Sequence, residues 1–179
     1  MEKEVFTVNL EKVIREMKLD RLYYPNKEVL IDTADLNRPG LQITGFFDYF
    51  DPSRIQVFGM VENTYLAGLS SEVRYNSLKR LFEKQISAVI LTRNSNASAE
   101  MLKLAEEFET PVLRTSQPTS SFTSSLNAYL NVELAPRITR HGVLVEVYGQ
   151  GVLILGESGV GKSETAVELI KRGHRLVAD

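Results

Sequence analysis

Eight consecutive residues, Gly156-Glu157-Ser158-Gly159-Val160-Gly161-Lys162-Ser163, satisfy the pattern GxxxxGK[ST] at every fixed position. Each residue type has a chemical task there. The glycines let the backbone wrap closely around a polyphosphate with its N–H groups pointing inward, and the start of a following helix adds free donors and partial positive charge. Lys162 is placed to reach the β- and γ-phosphates, and the Ser163 hydroxyl to bind a magnesium ion (Mg2+) held between them. A glycine-rich turn that binds nothing would carry the same letters. With Gly at about 7% of an average chain, chance produces the full pattern in this length about once in a hundred or less.

The pattern becomes a site only in its context, strand then loop then helix. The apolar run Val152-Leu153-Ile154-Leu155 precedes it as a short buried strand, and Ala166, Val167, Leu169 and Ile170 supply apolar positions to a helix behind it. Upstream, residues 143–147 and 152–155 flank Tyr148-Gly149-Gln150-Gly151, which reads as a β-hairpin with a four-residue turn. Pairing Val147 with Val152 sets Gly142 opposite Glu157 and brings His141 beside Ser158, at the mouth of the loop. His141 can be a surface histidine that starts a strand or a group acting on phosphate; the pairing favours the second. Downstream, Gly173 closes the helix and residues 176–178 form a strand ending in Asp179. A strand–helix–strand unit of this spacing is expected to be parallel and right-handed, bringing Asp179 out at the edge that carries the loop. A carboxylate there can take a hydroxyl proton, hold magnesium through water, or cap a turn.

The rest of the chain has to position this segment. In the first part, Leu10, Val13, Ile14 and Met17 recur at helical spacing. Residues 22–24 and 29–31 read as short strands about a Pro25-Asn26 turn. Residues 41–50 are aromatic and β-prone, and residues 55–58 form a strand. Ser70 or Ser71 caps a helix whose Val73, Leu78, Leu81 and Phe82 face one way. Then strand 88–91, helix 98–108, strand 111–113 and helix 120–134 alternate, which implies an α/β domain built on a parallel sheet. The aromatic residues Tyr23, Tyr24, Phe46, Phe47, Tyr49 and Phe50 can stack a ligand or fill a core, and the Ser/Thr-rich stretch 115–125 reads as a loop and helix cap. Ala135-Pro136 is the break between residues 1–135, an N-terminal α/β domain of unknown ligand, and residues 136–179, the beginning of a phosphate-loop (P-loop) nucleotide-binding domain.

Composition narrows the class. The 179 residues carry a formal net charge of -2 and no long basic block, which argues against a nucleic-acid partner. There is no cysteine, so disulfides and thiolate metal sites are excluded. No apolar run reaches membrane-spanning length and the N-terminus lacks a signal-peptide pattern, so a cytoplasmic protein without a membrane partner is expected. Sixteen residues follow Ser163, so the second domain is expected to be incomplete.

Three stretches together resemble the bacterial HPr kinase/phosphorylases: His141-Gly142-Val143 before the hairpin, the loop GESGVGKSE, and Arg172-Gly173-His174-Arg175-Leu176-Val177-Ala178-Asp179. The likeness extends more loosely through Asn37-Arg38-Pro39-Gly40-Leu41 and Arg54-Ile55-Gln56-Val57-Phe58-Gly59. It implies an enzyme that uses ATP to phosphorylate a serine of HPr, the phosphocarrier of the bacterial sugar phosphotransferase system. It also implies removal of that phosphate by phosphorolysis, with inorganic phosphate as acceptor and pyrophosphate as product. The resemblance further implies a role in carbon catabolite control with fructose bisphosphate favouring the kinase direction. It implies a hexamer formed through C-terminal domains similar in fold to phosphoenolpyruvate carboxykinase. By position it carries nucleotide binding onto Gly156, Glu157, Ser158, Gly159, Val160, Gly161, Lys162 and Ser163, magnesium onto Ser163, and active-site roles onto His141 and Lys162. The family pattern has two adjacent acidic residues after Val-Ala, the second being the seryl proton acceptor, and Asp179 matches the first. The 179 residues by themselves are therefore expected to bind nucleotide weakly and not to turn over. A small-molecule P-loop kinase or carboxykinase, and a non-catalytic nucleotide-sensing module, are the competing readings of the same loop.

Overall fold

A computed structural model describes residues 6–137 and 140–178. Two compact units make up the chain, Met1–Ala135 and Pro136–Asp179.

The first unit begins with β1 (Val8–Asn9), α1 (Leu10–Met17), β2 (Asp20–Tyr23), β3 (Leu30–Ile31) and β4 (Leu36–Asn37). It continues with β5 (Ile55–Phe58), α2 (Met60–Ala67), α3 (Ser71–Phe82), β6 (Val89–Leu91), α4 (Ala99–Glu107), β7 (Val112–Arg114) and α5 (Thr119–Glu133). Five strands form one sheet in the order β2-β7-β6-β5-β4. Strands β4 to β7 pair in parallel, and β2 adds an antiparallel edge. The sheet is thus mainly parallel, as the alternation of elements requires. β1 and β3 form a separate antiparallel pair.

Period-two alternation divides the core. Ile55, Val57, Ile90 and Leu113 point to the face covered by α1 and α5, where Phe122, Leu126 and Leu130 form the buried stripe of α5. Phe58, Val89, Leu91 and Val112 point to the opposite face, under α3 and α4. With helices on both sides, every residue of β5 and β6 is buried, the usual state of a parallel sheet. Helix starts follow their side-chain caps: Asn9 accepts from the Glu11 amide, Ser70 from Val73 and Ser98 from Met101.

Two local expectations fail here. Residues 41–50 form no strand; they contain a single 3-10 turn, Gln42–Thr44, closed by Gly45 at φ +103°. Phe47 and Phe50 meet edge to face at 5.6 Å and pack against the α3–α4 core, so the aromatic character serves packing onto helices. Val73 does not share the buried face of Leu78, Leu81 and Phe82 and is 51% exposed. At the third position of α3 it falls on the opposite side from that stripe.

The second unit contains β8 (Gly142–Val147), β9 (Gln150–Leu155), α6 (Lys162–Lys171) and β10 (Arg175–Ala178), with sheet order β10-β8-β9. The β8–β9 turn has two residues, not four. Tyr148 and Gly149 both take positive φ (49° and 78°), the conformation of a two-residue hairpin turn. Gln150 and Gly151 are drawn into the ladder, and Val145, not Val147, lies opposite Val152. A two-residue shift leaves each side chain on its expected face. β10 pairs antiparallel with β8, so β9 and β10 run in the same direction with β8 between them. Helix α6 covers one face of this sheet, packing Ala166 and Leu169 against Val143, Val145 and Ile154. α6 ends as expected, with Gly173 (φ +92°) donating to Ile170 and His174 to Leu169.

Candidate phosphate-binding site

Strand β9 ends at Leu155 and α6 begins at Lys162, so the six residues between them form the loop that the sequence pattern marks. Gly159 and Gly161 have φ of +82° and +95°, a region costly to any residue with a Cβ, and Gly161 is the cap from which α6 starts. Gly156 meets a different demand. A Cβ there would lie 2.7 Å from Val160 Cγ1, so a side chain at position 156 would force Val160 to shift.

Lys162 folds over the loop, its Nζ donating to the carbonyl oxygens of Gly156 at 2.8 Å and Glu157 at 2.7 Å. The ammonium is therefore held above the concave side of the loop by neutral acceptors. Thr165 Oγ1 donates back to the Gly161 carbonyl at 2.9 Å and fixes the loop–helix junction. Sequence reasoning did not single out Thr165; its signal is a hydroxyl four residues after the last loop glycine. Ser163 is exposed in the first turn of α6, and its hydroxyl makes no hydrogen bond among the described residues. Glu157, Ser158, Gly159 and Val160 are likewise exposed. The arrangement offers the unpaired amides of a helix N-terminus, one cation on a flexible stem and the exposed hydroxyls of Ser158 and Ser163, a set suited to a polyphosphate and its counter-ion. Among the described residues, no group of three or more His, Cys, Asp or Glu is gathered as a metal site.

His141 is exposed and immediately precedes β8. Since Gly142 lies opposite Leu155, His141 stands level with Gly156, the first residue of the loop, and not beside Ser158 as the four-residue turn would have it. Facing strands are about 5 Å apart, so the backbone of His141 borders the loop in either register. Asp179 lies outside the described residues; β10 reaches Ala178 opposite Leu144 while running toward the loop edge.

The first unit holds a second polar arrangement, for which the sequence reading had no element because α2 went unrecognised. Glu62 on α2, 4% exposed, accepts from the Gly59 amide at 2.8 Å and from Arg38 Nη2 at 2.9 Å. Burial works to raise the Glu62 carboxyl, but the bonds from Arg38 and from the Glu62 and Gly59 amides outweigh it and hold the group below its ordinary value. A Cβ at Gly59 would meet Thr119 Oγ1 at 2.8 Å, so a side chain there would displace Thr119. The signal was present as Gly59-x-x-Glu62, the spacing of a capping carboxylate.

With this geometry in place, known proteins supply the comparison. The family model described as HPr Serine kinase N terminus matches residues 8–130, and that of the HPr Serine kinase C-terminal domain matches residues 132–179. A protein of Caldicellulosiruptor bescii named HPr kinase/phosphorylase is 48% identical over 177 residues, covering 98% of this chain and 57% of its own length. One of Streptococcus uberis with the same name is 48% identical over 176 residues, covering 97% and 56%. The chain therefore spans just over half the length of these relatives. Among solved structures, the CBS and DRTGG domains of the regulatory region of Clostridium perfringens pyrophosphatase share 16% identity at a TM-score of 0.49, over 71% of this chain and 47% of that one.

Proposed function

The chain belongs to the HPr serine kinase family, and from that premise we propose that the protein transfers the terminal phosphoryl group of ATP to a serine of HPr. In the reverse sense it removes the group by phosphorolysis. The observation that carries the proposal is the loop between β9 and α6 with Lys162 turned over it.

In the kinase direction the seryl oxygen attacks the γ-phosphorus, the bond to the β-phosphate oxygen breaks, and the seryl proton passes to a carboxylate. In phosphorolysis an oxygen of inorganic phosphate attacks the seryl phosphorus, pyrophosphate forms, and the seryl oxygen regains a proton. Both reactions pass one phosphoryl group through one place, so one set of residues serves both. The loop amides and the N-terminus of α6 hold the phosphates. Lys162 exchanges two neutral carbonyl acceptors for phosphate oxygens, a charge-assisted and stronger bond, and so follows the charge of the transferring group. His141, at the root of the loop, stands where an entering phosphate or the seryl carboxylate partner can be stabilised.

Magnesium supplies neutralisation of the phosphate oxygens when bound. The free, exposed Ser163 hydroxyl is the group of this chain that fits it. Assembly into a hexamer, a cytoplasmic location, a role in carbon catabolite control, and the proton-accepting carboxylate beside Asp179 belong to the same proposal by family resemblance. No described helix is long and apolar enough to cross a membrane.

The test is Lys162→Ala in the full-length protein. Loss of HPr phosphorylation and phosphorolysis together, each by about 10²-fold or more, is expected if one phosphoryl site serves both. Loss in one direction alone would overturn the shared site. Ser163→Ala is expected to raise the magnesium requirement before it removes activity.

A further inference from the structure

A cavity of about 200 Å3 lies between α2, α3 and α4 of the first unit. Its floor is apolar, formed by the buried Leu66 and Met101. Asn63 on α2 lines it, and the Asn63 Nδ2 is buried without a hydrogen-bond partner. Such groups are rare in folded proteins, because an unmade hydrogen bond in the interior is costly. Only the Tyr24 and Tyr129 hydroxyls are in the same state among the described residues, and neither lines this cavity. A second asparagine stands on the lining. Asn96, an exposed residue in the loop leaving β6, uses its Oδ1 to accept from Arg114 Nη1 at 3.2 Å.

The remaining polar wall is already satisfied. Arg74 donates to the carbonyls of Leu66 at 2.8 Å and Leu69 at 2.9 Å and pairs with Glu100 at 3.4 Å. Ser71 donates to Glu100 at 2.6 Å and, with the Glu100 amide, holds its carboxyl down at about 2, so the Arg74–Glu100 pair stays charged and balanced. The cavity thus presents one buried unused amide donor, an exposed asparagine on its lining, an apolar floor and a cation that is already paired. Its place also matters. α2 follows β5 and α4 follows β6, so the cavity opens beside the carboxyl ends of two adjacent parallel strands, where open α/β sheets bind ligands. A larger depression of about 480 Å3 occurs at the other end of α3 and α4, but no unpartnered buried polar atom of the described residues lines it.

We propose that the cavity bounded by Asn63, Asn96, Leu66 and Met101 binds a small uncharged molecule with a carbonyl or amide acceptor at one end and a short apolar end. The acceptor takes the Asn63 NH2 group, beside Asn96, and the apolar end rests on Leu66 and Met101. Phosphates and dicarboxylates are disfavoured, because the one cation on the wall is already paired. The volume, below the roughly 300–1,000 Å3 of drug-sized sites, fits a ligand of metabolite size.

The test uses N-methylacetamide as probe, titrated to millimolar excess into the 15N-labelled chain. The side-chain NH2 signals of Asn63 and Asn96 are expected to move together and saturate, with acetate and inorganic phosphate at least tenfold weaker. Asn63→Leu, similar in branching but bulkier and free of the unpaired amide, is expected to abolish the response while leaving the unfolding temperature unchanged or higher. Ala67→Leu, which narrows the cavity from its rim, is expected to abolish the response with Asn63 intact. Unmoved signals, an equal response to phosphate, a response that survives Asn63→Leu, or a slowly exchanging water on Asn63 that the probe does not displace would each overturn the proposal.

Discussion

Gly142 joins the fold of the second unit to its chemistry, and substituting it tests both. It lies opposite Leu155, the last residue before the phosphate loop, and directly after His141. A Cβ at position 142 would stand 2.7 Å from the Ile154 carbonyl oxygen and 2.8 Å from Leu155 Cδ2. Ordinary contact begins near 3.4 Å, so β8 and β9 must part by about 0.7 Å at that end or twist. The leucine side chain can rotate away, but the carbonyl belongs to the ladder and cannot. Overpacking of this kind costs about 1–3 kcal/mol. The displacement falls on both the His141 backbone and the root of the loop, and a misplacement approaching 1 Å lowers a phosphoryl-transfer rate by up to about 10²-fold. Gly142→Ala in the full-length protein is therefore expected to reduce kcat for HPr phosphorylation well beyond its effect on the KM for ATP. It should also lower the unfolding temperature of the second unit. Gly151→Ala is the control: it sits in the same hairpin with nothing within 4 Å of its added Cβ and should be nearly silent. Equal behaviour of the two variants, measured by steady-state kinetics and thermal unfolding, would refute the pairing of Gly142 with Leu155.

Two further outcomes follow from the structure. His141→Gln is expected to lower phosphoryl transfer by about 10²-fold while leaving ATP affinity, measured by calorimetry, within a few-fold; a parallel loss of both would make His141 part of the binding surface only. Glu62→Gln is expected to cost about 1–3 kcal/mol near pH 7. Because the folded-state carboxyl is held below its ordinary value of 4.5, its contribution is present above that value and fades as pH falls through the folded value. Denaturant melts of wild type and Glu62→Gln should therefore converge in acid, and a pH-independent gap would deny the charge its role.

Much of the first unit is legible because its elements carry their own start signals. Asn9, Ser70 and Ser98 are capping residues standing before apolar periodicity, and the structure uses all three. α2 was missed because it begins at a glycine and is capped from within by Glu62, three residues on, with no Ser, Thr, Asp or Asn in front. β1 and β4 are two residues long, too short for any period to show. The aromatic run at residues 41–50 has the composition of a strand, but Gly40 and Gly45 break it, Phe47 and Phe50 pack onto helices, and Phe46 and Tyr49 are exposed. The turn between β9 and α6 was readable because its glycines answer geometric demands, a left-handed φ at Gly159 and Gly161 and a close approach to Val160 at Gly156. Hairpin register was the weak point. Whether Tyr148 accepts a left-handed φ decides between a two- and a four-residue turn, and side-chain pattern does not encode that choice.

Phosphorolysis is the step that separates this account from every other reading of the loop. Serine-phosphorylated HPr, incubated with the full-length protein, magnesium and isotopically labelled inorganic phosphate, should yield labelled pyrophosphate, one molecule for each HPr that loses its phosphate. Release of unlabelled free phosphate without pyrophosphate, or no loss of the seryl phosphate by a protein that binds ATP, would contradict it.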